Sequence, residues 1–292
     1  MLERLACSLK MYHGFLTSTI ILQSVFIFCK SEKTWMFSVG GNRKPANFID
    51  TDGYLKGADV DLIKSVCEIA NKRCEITVQP FEECVRTVRD RIYPGIGIMS
   101  KWYDACVGYV SIPERLNSMA FTDAYANAVA TFTVLKGNPH NFNPDNVSES
   151  VITTLNGLFT SSPCLKRLNK VPKGIIVAAD LNKVKDLLNN GSADALFSPR
   201  TLIPGYDVLP ARYDCTTSGL GMMVRKDNEL PGWWNPAFQS FYKSGNYTVW
   251  CKSINQKYGG IRIDDSYCLP PPAVKPTASG SGTQPGQIVG RR

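Results

Sequence analysis

An arginine placed just after a strand end carries the clearest chemistry in this sequence. In the stretch Lys101 to Tyr125, KWYDACVGYVSIPERLNSMAFTDAY, an apolar run from Ala105 to Val110 is broken by Gly108, whose missing Cβ leaves the backbone approachable. Pro113 then opens a turn or helix, Glu114 and Arg115 follow, and Phe121 to Tyr125 resumes as extended chain. A guanidinium there, beside backbone N–H groups and the Ser111 hydroxyl, suits a small carboxylate held by two parallel charge-assisted hydrogen bonds. The competing reading is a surface ion pair, which is what a lone arginine in a turn most often makes.

Other chemistries find less support. Asp59 and Asp61 read as paired catalytic carboxylates or, at the start of a helix, as groups that cap its free N–H groups and favour its dipole. There is no Gly-x-Ser-x-Gly elbow, no phosphate loop and no CxxC pair, and the two histidines are His13 and His140. Neither a metal nor another cofactor is expected.

The elements that must position Arg115 follow from periodicity. Thr34 to Val39 is a short apolar strand closed by Gly40 and Gly41, and Asn42 to Asp52 is a polar connector containing Pro45 and Phe48. From Gly57, apolar residues Val60, Leu62, Ile63, Val66, Cys67, Ile69 and Ala70 recur at three- and four-residue spacing, which predicts an amphipathic helix. Arg73 to Val78 alternates as a strand, Phe81 to Ile92 reads as a second helix, and Tyr103 to Val110 is the third strand. That order predicts a parallel sheet covered on both faces, with ligands taken outside the carboxyl ends of its strands. Ala126 to Leu135 is a β-branched run leading into a second lobe. There Val151 to Leu155 runs into Gly157 and the turn FTSSP before a helix at Cys164 to Leu168. Such a turn presents free N–H groups to an anion; plain capping by Ser161 or Ser162 is the alternative. A strand at Gly174 to Ala178, a helix at Leu181 to Leu188, a strand at Leu220 to Lys226 and a helix at Trp233 to Lys243 complete the reading.

These phrases together resemble bacterial extracellular solute-binding protein family 3. Tyr103, Asp104, Ala105, Gly108, Pro113, Glu114, Arg115, Phe121, Thr122, Asp123 and Tyr125 follow its order "YDAxxxG", "PER", "F(S/T)xxY". Gly57, Asp59, Asp61 and Leu62 match its "GxDxDL", and Gly245, Tyr247, Lys257, Tyr258 and Gly259 its closing phrase. The resemblance, over residues 34 to 260, implies an α/β fold of the two-lobed type II periplasmic-binding kind, shared with the ionotropic glutamate receptor core. Two hinge strands cross between lobes near residues 126 and 217. It implies a non-catalytic, amino-acid-binding role, with Arg115, Ser111, Gly108 and Val110 at the ligand, Phe48 (Trp35 being the alternative, and Phe48 as plain core the competing reading) covering it, and Gly157, Thr160, Ser161 and Ser198 closing from the second lobe. The echo of "xADAxxxD" at Ala193, Asp194 and Ala195 departs in one place: Pro199 stands where an acid would meet an ammonium. The ligand expected is amino-acid-like or a carboxylate, and the loss of that acid favours an anion without an amine, such as a carboxylate or dicarboxylate, over a standard α-amino acid. A dehydratase-type enzyme on the same fold and a scaffold whose pocket has decayed are the alternatives.

Length and charge set the frame. A chain of 292 residues can bury two cores, and its charge of +8 is scattered, which argues against a nucleic-acid partner. Residues 1–31 read as a signal peptide, with Arg4 and Lys10 ahead of the apolar run Phe15 to Cys29, or alternatively as an N-terminal anchor. The expected division is 32–125 plus 217–268 for the first lobe, 126–216 for the inserted second, and 269–292 as a disordered Pro/Gly/Ser tail. Of ten cysteines, those outside the leader are Cys67, Cys74, Cys84, Cys106, Cys164, Cys215, Cys251 and Cys268, an even set that suits disulfides in an exported chain. Pairing neighbours in order is the expectation, with the sequence alone leaving other pairings open. Sequons at Asn146, Asn190 and Asn246 fit glycosylation on a secretory route. A secreted monomer is expected, with a membrane receptor or transporter as a further partner.

Overall fold

The structure is a computed structural model and describes residues 7–9, 27–29, 32–88, 91–155, 161–199, 203–259 and 265–271. Strands β1 (Cys7–Leu9) and β2 (Ile27–Cys29) pair antiparallel within the stretch read as a leader. There follow β3 (Trp35–Val39), β4 (Asn42–Arg43), β5 (Asn47–Ile49), β6 (Leu55–Lys56) and α1 (Ala58–Ile69). After them come β7 (Cys74–Val78), β8 (Val85–Val88), β9 (Arg91–Pro94), α2 (Ile96–Met99), β10 (Ala105–Val110), α3 (Pro113–Leu116) and β11 (Met119–Phe121). The second lobe holds β12 (Val129–Leu135), β13 (Val151–Leu155), α4 (Ser161–Arg167), β14 (Gly174–Ala178), α5 (Leu181–Asn189), β15 (Ala195–Pro199), β16 (Tyr206–Val208) and β17 (Tyr213–Asp214). The chain returns with β18 (Leu220–Arg225), α6 (Leu230–Lys243) and α7 (Asn246–Tyr258).

The first lobe is a five-stranded sheet ordered β11-β18-β10-β3-β7. β10, β3 and β7 run parallel, while β18 and β11 are antiparallel additions, so the sheet is mixed rather than wholly parallel. The three- and four-residue spacing of α1 buries Val60, Leu62, Ile63, Val66 and Cys67. Leu62, Ile63, Val66 and Cys67, with Phe37, Trp234, Phe238, Tyr247 and Trp250, form the core between the sheet and α1, α6 and α7. The opposite face is closed by Cys84, Tyr103, Cys106, Tyr109 and Met223.

The stretch predicted as a second helix is instead a single 3-10 turn, Phe81–Glu83, followed by the β8–β9 hairpin. Val85, Thr87 and Ile92 favour extended backbone. Tertiary ties fix the choice: Cys84 is bonded to Cys106, and the Tyr103 hydroxyl donates to the Glu83 carbonyl at 2.7 Å. The aspartates at the start of α1 are not caps either. Its N-cap is Gly57 with no side-chain cap bond, Asp59 is 1% exposed, and Asp61 pairs with Lys257 and Tyr258.

The second lobe is a six-stranded sheet, β14-β13-β15-β12-β16 with β17 also on β12. β13, β14 and β15 are parallel and carry α4 and α5 on opposite faces, over Phe132, Phe197 and Cys164 on one side and Val184, Leu188 and Leu196 on the other. The two crossings between lobes touch. Ala126 bridges Leu220, and a Cβ on Gly219 (φ +97°) would stand 2.6 Å from the Ala126 carbonyl oxygen. Asn127 is held from its other side, donating from Nδ2 to the carbonyls of Ser266 and Cys268.

Among the described residues, four disulfides join Cys67–Cys74, Cys84–Cys106, Cys164–Cys215 and Cys251–Cys268, the neighbour-in-order pairing. The third ties α4 to the approach to the second crossing, and the fourth ties α7 to the segment that clamps Asn127. Of the expected tail, 269–271 dock on the first lobe, where Leu269 N donates to the Tyr247 hydroxyl; 272–292 lie outside the described residues.

Candidate functional site

β10 does not stop at Gly108. It bulges there, its register against β18 shifting between Val107 and Tyr109, with Gly108 at φ +80°. The bulge turns Tyr109 toward the hairpin side, where its ring stacks on Phe81 at 5.0 Å. Ile112 is extended and Pro113 opens the single turn α3, which swings the Arg115 side chain back over the strand end. Arg115 is 3% exposed, so it is no surface ion-pair residue. Its Nη1 donates to the Val110 carbonyl at 2.8 Å, its guanidinium carbon lies 5.2 Å from the Tyr109 ring centre, and its Nε has no partner. Among the described residues it meets no carboxylate at ion-pair distance. Burial pulls this guanidinium down to about 10, the Tyr109 hydroxyl opposing the fall and the charge of Arg43 adding to it. It therefore remains charged at neutral pH.

Ser111 is buried beside it, but its hydroxyl shares a 2.8 Å hydrogen bond with Ser218, and its backbone is stitched to Gly219 and Thr217 on the second crossing. The site is thus continuous with the hinge. Val110 contributes its carbonyl to Arg115, while its side chain packs with Ile112 and Ala128 at the first crossing. Glu114 reaches the other lobe: its Oε1 lies 2.9 Å from Nη1 of Arg167 on α4, whose Nη2 donates to the Cys215 carbonyl. Oε2 of Glu114 is buried without a partner.

On the second lobe, Ser198 sits at the carboxyl end of β15, opposite Thr131 of β12. Both side chains are buried, and among the described residues neither hydroxyl has a hydrogen-bond partner. Buried hydroxyls are normally satisfied, so two adjacent exceptions at a strand end mark unused donor and acceptor capacity. Ser161 opens α4; Gly157 and Thr160 lie outside the described residues.

Phe48 is not placed over this site. Its ring is buried edge-on against Tyr258, 5.9 Å away. The connector residue that does reach the strand end is Arg43, whose Nη2 lies 2.9 Å from the point a Cβ on Gly108 would occupy. Beyond it is Asp59, which accepts from Asn47 Nδ2 at 2.6 Å and from the Tyr125 hydroxyl at 3.0 Å. Burial raises the Asp59 carboxyl above its ordinary value, against the opposing hydrogen bond from Asn47, the charge of Arg43 and the hydrogen bond from Tyr125. Arg43, Tyr109, Thr131 and Arg167 were not singled out by the sequence reading. A basic pair, Arg43 and Lys44, inside a polar connector is the signal that could have found the first.

A groove of about 490 Å³ lies elsewhere, between α1 and α7, lined among others by Asp61, Lys64, Glu68, Trp250 and Lys257. Its acid Asp61 is already paired with Lys257 at 2.6 Å, so it offers less unsatisfied chemistry than the strand end. No cluster of three or more potential metal ligands occurs among the described residues, and no helix among them is long and apolar enough to cross a membrane. The sequon asparagines Asn146, Asn190 and Asn246 are all exposed.

A model of the family described as bacterial extracellular solute-binding proteins, family 3, matches residues 36–261. The L-arginine-binding protein of Pseudomonas aeruginosa is 27% identical over 233 residues, 73% of this chain and 83% of that one. The histidine-binding periplasmic protein of Escherichia coli is 25% identical over 230 residues, covering 72% and 84%. A solved His/Glu/Gln/Arg/opine family-binding protein from Silicibacter pomeroyi, in complex with lysine, superposes with a TM-score of 0.60. It is 18% identical and covers 80% of this chain and 99% of that chain.

Proposed function

Because the chain belongs to bacterial extracellular solute-binding protein family 3, whose class is solute binding and not catalysis, we propose that it closes its two lobes on a small carboxylate held by Arg115. The observation that carries the reading is a fully buried guanidinium with an unpartnered Nε and no carboxylate against it. A buried charge without a counter-ion is costly, and a ligand acid would supply the missing partner. Relatives named for arginine and histidine make an amino acid the natural starting point. The chain from Ala195 to Tyr206 contains no acid to meet an ammonium, and Pro199 occupies the matching position. An acid without an amine suits that lining better.

Closure follows from differential contact. A ligand that touches Arg115 on one lobe and the Ser198 and Thr131 hydroxyls on the other favours the closed arrangement; one held by a single lobe shifts nothing. An extracytoplasmic setting, with a membrane transporter or receptor taking the loaded form, accompanies this reading. Arg115→Ala is expected to abolish the rise in unfolding midpoint that a bound carboxylate produces, with Arg115→Met as a variant that keeps the packing volume. A midpoint shift retained in both overturns the assignment. The second reading, an empty scaffold, is favoured by the Ser111 hydroxyl being spent on Ser218 and Arg115 on its own backbone; native mass spectrometry finding no retained small molecule supports it.

A further inference from the structure

Two guanidinium groups converge on the β10 bulge from different directions. Arg115 comes from α3 and is buried. Arg43 comes from β4, on an exposed residue, and places Nη2 so close to Gly108 that any Cβ there would meet it at 2.9 Å. Glycine at this bulge is therefore what admits the second guanidinium. Like charges this near repel, and each weakens the case for the other unless an anion lies between or beside them.

The nearest acid does not serve that purpose. Asp59 has its oxygens engaged by Asn47 and Tyr125 and makes no ion pair with Arg43. Glu114, the next acid along, gives Oε1 to Arg167 and leaves Oε2 without a partner, and it makes no ion pair with Arg115. Arg43 makes no hydrogen bond or ion pair with any described residue. The strand end thus holds two cationic forks, and among the described residues no acid lies at ion-pair distance from either, although the charge of Arg43 acts on Asp59.

We propose that Arg43 is a second anion anchor and that the ligand of the Arg115 site is a small dicarboxylate, one acid group taken by each guanidinium. The inference rests on the solute-binding reading of Arg115 and adds the ligand class and its determinant. Two charge-assisted forks entering one strand end from different elements select for a ligand with two acid groups. L-Arginine or L-histidine would bring a further positive group, its ammonium at the least, to the same bulge and is rejected.

Calorimetry on the full chain tests this with succinate, glutarate, butyrate, L-arginine and L-histidine, repeated on Arg43→Gln and Arg115→Met. The expected result is that one of the two dicarboxylates binds at least about tenfold tighter than butyrate, that Arg43→Gln removes this margin while leaving butyrate nearly unchanged, and that Arg115→Met weakens both. Equal binding of mono- and dicarboxylates, equal loss of both in Arg43→Gln, or tightest binding of L-arginine or L-histidine overturns the dicarboxylate inference and leaves solute binding standing. No heat with any of the five overturns both.

Discussion

The two lobes meet at the hinge with different chemistry. The first brings charge: Arg115, buried and without a counter-ion, and Arg43 beside it at the β10 bulge. The second brings neutral hydroxyls, Ser198 and Thr131, buried and unbonded at the end of β15. The difference teaches where affinity and where closure originate. Charge-assisted bonds are roughly twice as strong as neutral ones, so in the proposed function the first lobe would capture the ligand and the second would respond to its arrival. On that proposal each lobe alone would be a poor binder: one would leave the ligand open to water, and the other would lack the energy to hold it.

That contrast can be broken by experiment. Truncating Arg115 is expected to cost about 2–5 kcal/mol of ligand affinity, the range for one partner of a buried, hydrogen-bonded charge pair. If Ser198→Ala costs as much in the same titration, the division of labour between lobes is wrong.

Asp59→Asn sharpens the charge side of the comparison. Burial raises the Asp59 carboxyl, so the folded chain binds that proton more tightly than the unfolded chain does. Its contribution to stability is therefore greatest below the ordinary carboxylate range and is lost as pH rises through the folded value. Asp59→Asn is expected to flatten that part of the profile in denaturant melts taken from acid to neutral pH; an unchanged slope would show that Arg43 already neutralises the carboxylate.

Ser198→Ala, on the hydroxyl side, is expected to leave the ligand-free unfolding midpoint unchanged or slightly raised, because the hydroxyl has no partner to lose. Ligand affinity falls by about 1 kcal/mol. A clear loss of midpoint without ligand would mean that the hydroxyl serves the fold. The smallest effect belongs to Glu114→Gln, which removes the half-exposed ion pair to Arg167 across the lobes. Such pairs contribute about 0.2–1 kcal/mol. Faster hydrogen exchange at residues 217–219 with little change in overall stability is the expected reading, and unaltered exchange would remove this pair from the closure mechanism.

How much was legible depends on whether the causes were local. The spacing of Val60, Leu62, Ile63 and Val66 dictated α1, since a 3.6-residue repeat has few other ways to bury those side chains. The ordered phrase from Tyr103 to Tyr125 placed Arg115 correctly at a strand end. Neighbour-in-order pairing gave the four disulfides, because each joins segments that the topology makes adjacent. The region 81–92 misled because Glu82, Glu83, Arg86 and Arg89 resemble an exposed helix face, whereas a disulfide and a tyrosine hydroxyl from farther along the chain hold it as a hairpin. Phe48 looked like the covering aromatic because only its residue type was visible, and its partner Tyr258 is supplied by the last helix.

The sequence by itself determined α1, an even set of eight cysteines beyond the leader and the arginine at the strand end, and its ordered motifs carried the resemblance that implies the two-lobed α/β architecture. Periodicity, backbone preference and motif order act over a few residues and are written in the chain. Only the tertiary structure decided that Arg115 is buried and uncompensated, that Arg43 rather than Phe48 reaches Gly108, and that the Ser111 hydroxyl belongs to the hinge through a partner 107 residues away. Burial and pairing are properties of what folds against a residue, and those neighbours come from distant parts of the chain.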